Sequence, residues 1–146
     1  MGDRTPRIAL VLGWGGVIPF AAAALTWLFG DPVMRIHALN LGTIYGGVIV
    51  AFLGAVHWGI AIERTAATAP PPFWPFIWSV LPSLAVVPML AISPFLRPGF
   101  ILAGLVICWG VDFYLTSKGR LPRWYMNLRH GLTGAAAITM LVMLRV

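Results

Sequence analysis

Three side chains that can carry charge or exchange protons lie inside apolar stretches of this sequence: His57, Asp112 and Arg129. Asp112 interrupts an apolar run, residues 98–116, that is long enough to cross a bilayer. A carboxylate in hydrocarbon costs several kcal/mol unless it finds a partner, takes up a proton or touches water. Asp112 is therefore the residue around which a candidate site has to be built.

Each of these residues lies six positions inside a charged residue that marks the boundary of its apolar segment. The boundary markers are Glu63, Lys118 and Arg123. Six helical residues correspond to ~9 Å of depth, so His57, Asp112 and Arg129 are predicted to share one level of the membrane. We predict that Asp112 accepts hydrogen bonds from Arg129, with His57 close by.

Further polar residues of the same region extend this predicted intramembrane cluster. Tyr125 lies on the helical face of Arg129, and Asn127 and His130 lie on the same turn. We expect pairing with Arg129 to keep Asp112 ionised against the cost of burial. Two alternatives stay open: the cluster only holds three helices in register, or Arg129 extends to the headgroups and leaves Asp112 facing His57.

The chemistry of the cluster divides into two functional hypotheses. A histidine and an aspartate at one depth can relay protons, because histidine titrates near neutral pH. Alternatively, His57 and His130 can ligate a tetrapyrrole in a flat apolar cleft. The residues expected to line such a cleft are Gly54, Trp58, Trp109 and Trp124. Hydrolase, metalloprotease, phosphate-loop and cysteine–metal motifs are not found, so neither an enzyme nor a metal site is predicted.

Composition places the chain in the membrane. Apolar residues make up 60% of it and charged residues 10%, a balance that excludes an ordinary soluble domain. The 146 residues leave room for roughly five spanning helices and no separate soluble domain. The single cysteine, Cys108, excludes an intrachain disulfide. The net charge of +6 comes mainly from residues between the apolar segments, so we predict lipid contact and no nucleic-acid partner.

Five apolar segments predict one bundle of transmembrane helices. We place them at residues 8–29, 36–62, 73–96, 98–116 and 124–144. The breaks between them contain Glu63 and Arg64, the run 69–72, and the run 118–123. A secretory signal is the alternative for the first segment, but its apolar run continues to Phe29, which favours a spanning helix.

The basic residues are distributed unequally between the two sides of this bundle. The amino-terminal side has Arg4, Arg7, Arg64, Lys118, Arg120 and Arg123, with Arg129 just inside it. The opposite side has Arg35, Arg97 and Arg145. The positive-inside rule therefore predicts a cytoplasmic amino terminus and an external carboxyl terminus.

Small residues at four-residue spacing predict which helices pack centrally, because they let helix backbones approach closely in lipid. Such pairs lie on the second segment, between residues 42 and 55, and on the fifth, at Gly131 and Ala135. These two helices are predicted to be central. The third segment contains Pro75, Pro82, Pro88 and Pro94 and should be kinked.

Two runs of sequence are similar to those of a known family. Residues 45–59, with His57-Trp58-Gly59, and residues 121–133, with Trp124-Tyr125 and Arg129, resemble the transmembrane protein 69-like family. This is a domain-of-unknown-function group of bacterial and mitochondrial membrane proteins. The resemblance covers most of the chain and implies a multi-pass inner-membrane location, here in a bacterium, but no activity. The tryptophan-rich sensory proteins share the five-helix architecture but not the motifs.

Two functions remain in competition. The first is a binding or structural role, as an accessory or assembly subunit of a larger membrane complex or as a binder of lipid, quinone or tetrapyrrole. The second is a small proton-coupled transporter that uses His57 and Asp112. An odd number of helices without a visible internal repeat disfavours the transporter.

Overall fold

The computed structural model describes residues 6–67 and 73–145, and every regular element within these ranges is an α-helix. The helices are α1 (Arg7–Gly15), α2 (Ile18–Phe29), α3 (Pro32–Ala67), α4 (Trp74–Met89), α5 (Arg97–Ser117) and α6 (Arg123–Leu144). Because α1 and α2 follow each other as two parts of one kinked helix, the fold is a five-helix bundle. The predicted all-α class is confirmed.

Three stretches of the described chain are long and apolar enough to cross a membrane: Arg7–Phe29, Pro32–Glu63 and Arg97–Ser117. α4 is apolar but has only 16 residues, which is ~24 Å of helix against a hydrocarbon core of ~30 Å. α6 is long enough with its 22 residues, but the charged side chain of Arg129 lies within it, and α6 is not among these three stretches. Length and composition thus support three of the five predicted spans directly.

The first predicted helix, residues 8–29, is divided at Gly16 and Val17. Pro19 has no N–H, so it cannot donate to the Gly15 carbonyl one turn earlier. The neighbouring carbonyl of Gly16 accepts a hydrogen bond from the Tyr45 hydroxyl of α3 at 2.8 Å. A proline and a side chain inserted into the hydrogen-bond ladder are common causes of a helix kink.

Replacing Tyr45 with phenylalanine removes this hydrogen bond and little else. We expect the free energy of unfolding to fall by about 1 kcal/mol, measured by denaturant titration in detergent micelles. Tyr114→Phe on the exposed surface of α5 is the control and should change stability less. Equal effects of the two variants would contradict a stabilising role for the hydrogen bond at the kink.

α3 is longer than predicted at both ends. It begins at Pro32, and the Asp31 carboxylate accepts a hydrogen bond from the Met34 backbone N–H at 2.9 Å, as an N-cap does. Its last described residue is Ala67, so Glu63 and Arg64 do not end it. Glutamate and arginine favour helix, and a charge that ends an apolar segment need not end the helix. The predicted break at residues 69–72 lies outside the described residues.

α4 ends at Met89, seven residues before the predicted end at residue 96. After Pro88 the backbone tightens, and Leu90 and Ile92 donate to carbonyls three residues back. The Arg97 guanidinium then donates to the carbonyls of Leu90 and Ile92, at 2.9 and 3.3 Å. Side-chain donors thus compensate carbonyls that a continued helix would have used. α5 and α6 begin and end within one residue of prediction.

α3 is the central helix and packs against α2, α4, α5 and α6. Its glycines mark the closest approaches. A Cβ atom built on Gly42 would lie 3.0 Å from the Cβ of Ala23 on α2, and one on Gly46 would lie 2.7 Å from Ile101 on α5. The small-residue face of the second predicted segment is thus the packing face, as expected. This arrangement brings α5 and α6 to the same side of α3.

Candidate functional site

The candidate site is a buried polar cluster, defined here as His57, Asp112, Tyr125, Arg129 and Thr133. α3 supplies His57 and α5 supplies Asp112. The other three residues come from α6, where a spacing of four residues places them on one face. The consecutive helices α5 and α6 therefore meet the sequence-distant helix α3 at this cluster.

Asp112 is the centre of the polar cluster and has no exposed surface. Its Oδ2 accepts hydrogen bonds from Arg129 Nε at 2.8 Å and from the Tyr125 hydroxyl at 3.3 Å. Its Oδ1 lies 3.1 Å from Nε2 of His57. Arg129 also donates from Nη1 to the Thr133 hydroxyl at 2.9 Å. The carboxylate thus has a charged partner that compensates its burial.

Both ring nitrogens of His57 face oxygen atoms. Nδ1 lies 3.1 Å from the Leu53 carbonyl oxygen, and Nε2 lies at ion-pair distance from Asp112 without the alignment of a hydrogen bond. His57 therefore lies between two acceptor oxygens, and a small shift of Nε2 would bring it into hydrogen-bond alignment with Asp112.

Arg129 retains one unused donor. The residue is 4% exposed, and among the described residues its Nη2 has no hydrogen-bond partner. A buried charged donor without an acceptor is costly. Trp78, which packs edge-on to His57 with ring centroids 6.4 Å apart, likewise has a buried and unpartnered Nε1. Two buried N–H donors at the polar cluster, Arg129 Nη2 and Trp78 Nε1, thus lack an acceptor among the described residues.

An apolar cavity of about 380 Å³ lies beside the polar cluster, between α1, α2, α3, α5 and α6. Arg129 and Tyr125 form part of its wall, and the other lining side chains are almost all apolar. They include Leu12, Phe20, Leu53, Val56, Leu105, Trp124, Leu128 and Leu132. The arginine with the unused donor thus borders a space large enough for part of a lipid-like molecule.

The structure does not bring Asn127 and His130 into the polar cluster. Both are exposed, and Nδ1 of His130 accepts a hydrogen bond from Trp109 Nε1 at 3.0 Å on the outer surface of α5 and α6. Each residue of a helix turns the side chain by about 100°. A neighbour of Arg129 in sequence therefore faces a different direction. His57 and His130 do not converge on a common ligand, which removes the geometry expected for a bis-histidine tetrapyrrole site.

The predicted ligand-lining residues separate in the same way. Trp124 lines the cavity, whereas Gly54 packs against Ser79 and Pro82 of α4. Trp58 is exposed and packs edge-on to a phenylalanine of α4, and Trp109 pairs with His130. Among the described residues no group of three or more histidine, cysteine or acidic side chains can hold a metal ion.

Sequence reasoning missed the part of the site that comes from the first apolar segment. Gly13, Gly16 and Phe20 line the cavity, but attention to charged residues directed the prediction away from them. The glycines at positions 13, 15 and 16 were the available signal, because small residues in a spanning helix mark packing contacts.

The fold and the polar cluster define a multi-helix membrane protein with ionisable groups buried in its interior. The family model described as a protein of unknown function, DUF3429, matches residues 5–145, and the chain belongs to that family. It is also 29% identical over 141 residues to Transmembrane protein 69 of Xenopus tropicalis, covering 92% of this chain and 53% of that protein. The chain thus spans about half the length of this curated relative. No solved structure matches it. The resemblance found in the sequence is confirmed.

Proposed function

We propose that this protein binds a lipid-like ligand in the cavity beside the polar cluster, with Arg129 and Tyr125 recognising an oxygen atom of the ligand. The observation that carries the proposal is the unpartnered Nη2 of Arg129, a buried donor on a residue of the cavity wall. A ligand oxygen at this position would accept the remaining hydrogen bond. The apolar part of the ligand would occupy the space lined by α1, α2 and α6.

The charges of the polar cluster indicate what kind of oxygen fits. Asp112 already neutralises Arg129 at 2.8 Å, so a neutral acceptor adds no uncompensated charge to a buried site. A carbonyl oxygen on an apolar body meets this requirement, as in a quinone or an acyl ester. Ligand pockets of this type are mainly apolar, with a few polar groups that set orientation.

The setting of the proposed site is a bacterial inner membrane. We propose that all five helices cross the bilayer as one transmembrane domain, with the amino terminus in the cytoplasm, as the distribution of basic residues supports. In that orientation the polar cluster lies nearer the cytoplasmic leaflet. An accessory or assembly subunit that holds a ligand for a larger membrane complex is compatible with a chain of this size.

Filling the cavity tests the proposal. Leu128→Phe adds volume to the cavity wall, and we expect it to weaken binding of a short-chain benzoquinone by about tenfold or more, equivalent to ~1.4 kcal/mol. Quenching of tryptophan fluorescence reports binding, because Trp124 lines the cavity. An acyl lipid is the alternative carbonyl ligand to a quinone. Mass spectrometry of organic extracts from the purified protein would detect such a lipid if it co-purifies.

Leu141→Phe provides the matched control, since Leu141 is an exposed leucine on the same helix. We expect it to bind the quinone like the parent protein. Two outcomes would contradict the proposal: equal weakening in both variants, or a parent protein that neither binds the quinone nor retains an acyl lipid.

A proton-coupled transporter is the second candidate, and one observation favours it. His57 lies between the Leu53 carbonyl and the Asp112 carboxylate, with Nε2 at 3.1 Å from the carboxylate oxygen. At this distance a proton can pass between the His57 imidazole and the Asp112 carboxylate. His57→Gln in liposomes with a pH gradient should abolish proton movement if the protein transports. If the parent shows no proton flux, the transporter hypothesis fails.

A further inference from the structure

The outer face of α5 and α6 carries polar groups where a membrane helix would ordinarily present apolar ones. His130 is exposed and lies seven residues after Arg123, the first residue of α6. Seven helical residues correspond to ~10 Å of depth, which is within the hydrocarbon if α6 crosses the bilayer. Lipid chains cannot satisfy a hydrogen-bonding group there.

The hydrogen bond from Trp109 determines which nitrogen of His130 is unused. Trp109 Nε1 is a donor only, so His130 Nδ1 accepts at 3.0 Å. A neutral imidazole with Nδ1 as acceptor carries its proton on Nε2. The Trp109 ring also stacks on Phe113, with centroids 5.6 Å apart, which helps to hold this arrangement. His130 therefore offers one N–H donor on an exposed surface.

Asn127 supplies the complementary group on the same face. It lies three residues before His130, is also exposed, and at this spacing the two side chains are neighbours on the helix surface. Its amide has two donors and one carbonyl acceptor. His130 thus has an N–H donor without an acceptor, and Asn127 beside it carries a carbonyl oxygen that can accept a hydrogen bond.

The same face allows another helix to approach closely. A Cβ atom built on Gly134 of α6 would meet nothing within 4 Å. Gly134 lies one turn beyond His130 and is exposed. Glycines alone do not identify an interface, but beside two unsatisfied polar side chains they leave the space that a partner backbone would occupy.

We propose that this face binds a second copy of the chain. A two-fold axis along the membrane normal places equal depths opposite each other, so Asn127 of one copy meets Asn127 of the other. His130 Nε2 of each copy can then donate to the Asn127 carbonyl oxygen of its neighbour, one helical turn away. Each copy supplies both the donor and the acceptor that the other lacks, and this reciprocity favours a second copy over an unrelated partner.

Cross-linking in liposomes tests the proposed dimer with the 146-residue chain. Ile138→Cys, at an exposed position one turn beyond Gly134 on α6, leaves Asn127 and His130 intact and should form a disulfide-linked dimer on mild oxidation, because equal positions meet at a two-fold axis. Leu84→Cys on α4 is the control, since Leu84 is 60% exposed but lies outside this face, and it should remain monomeric. Oxidation of both variants to the same extent, or of neither, would overturn the proposal.

A second measurement examines the hydrogen bonds themselves. We expect His130→Leu to weaken dimerisation on the order of tenfold, from energy transfer between labelled copies at increasing lipid dilution. His37→Leu replaces another exposed histidine, on α3, and should leave the dimer unchanged. An unchanged dimer in His130→Leu, or a parent chain that is monomeric at every lipid ratio, would overturn the proposal.

Discussion

Replacing Asp112 with alanine is expected to lower the free energy of unfolding by about 3–5 kcal/mol, the usual cost of removing one partner from a buried ion pair. Arg129 is 4% exposed, and without Asp112 its charge would have neither water nor a carboxylate beside it. His57 and Tyr125 would lose the same partner. Unfolding in mixed detergent micelles, followed by circular dichroism, measures the loss. Asp31→Ala removes an exposed N-cap carboxylate and should cost about 1 kcal/mol.

The double variant Asp112→Leu/Arg129→Met identifies the cause of this loss. With both charges removed, the remaining cost should be mainly one of packing, and replacement of a buried ion pair by apolar residues is often near neutral. We therefore expect the double variant to be more stable than Asp112→Ala. If it is equally unstable, the unpaired charge is not the reason, and the polar cluster stabilises the fold through its shape and hydrogen bonds.

Replacing Gly54 with leucine is expected to produce the second large effect, a loss of about 3 kcal/mol at the upper end for overpacked sites. A Cβ atom there would lie 2.7 Å from the Ser79 carbonyl oxygen and 2.9 Å from Pro82 Cγ. Neither a helix backbone nor a proline ring can rotate away, so α4 would have to move. Trp78 would move with α4, so its ring would no longer pack against His57. Thermal unfolding in detergent measures the change.

Gly59→Leu is the matched control, five residues further along the same helix. A Cβ atom at Gly59 meets nothing within 4 Å, so leucine should fit and should raise helix stability by up to about 1 kcal/mol through its higher propensity. We therefore expect Gly54→Leu to lower the stability of the protein and Gly59→Leu to raise it. If Gly54→Leu is as well tolerated as Gly59→Leu, α3 and α4 are not held at the distance described.

The common level of three polar residues in the bundle was predictable from the sequence. The rise per residue of a helix is constant, so counting six residues from each boundary marker placed His57, Asp112 and Arg129 at one level. These three residues are in contact in the structure. The same count could not distinguish Arg129 from its neighbour His130, because depth says nothing about the direction in which a side chain points.

Direction around the helix axis depends on which face each helix buries, and this is a property of the whole bundle. Gly54 illustrates the difference: it is small and inward-facing as predicted, but the neighbour it admits is α4 and not a ligand. The early end of α4 has a similar origin. The prolines predicted a kinked helix, but α4 ends at Met89. The Arg97 side chain then donates to the carbonyls of Leu90 and Ile92. The positions of the prolines do not predict this interaction.

The sequence alone determined the class of protein, the existence and approximate bounds of its helices, and the level at which the charged residues lie along them. These properties follow from composition and from the geometry of a single helix, both of which are local. Only the tertiary structure decided that Arg129 faces inward and His130 outward, and that the cavity beside Arg129 is lined by the first apolar segment. Those facts depend on packing between residues distant in sequence, where side-chain volumes and the pairing of buried charges select one rotation for each helix.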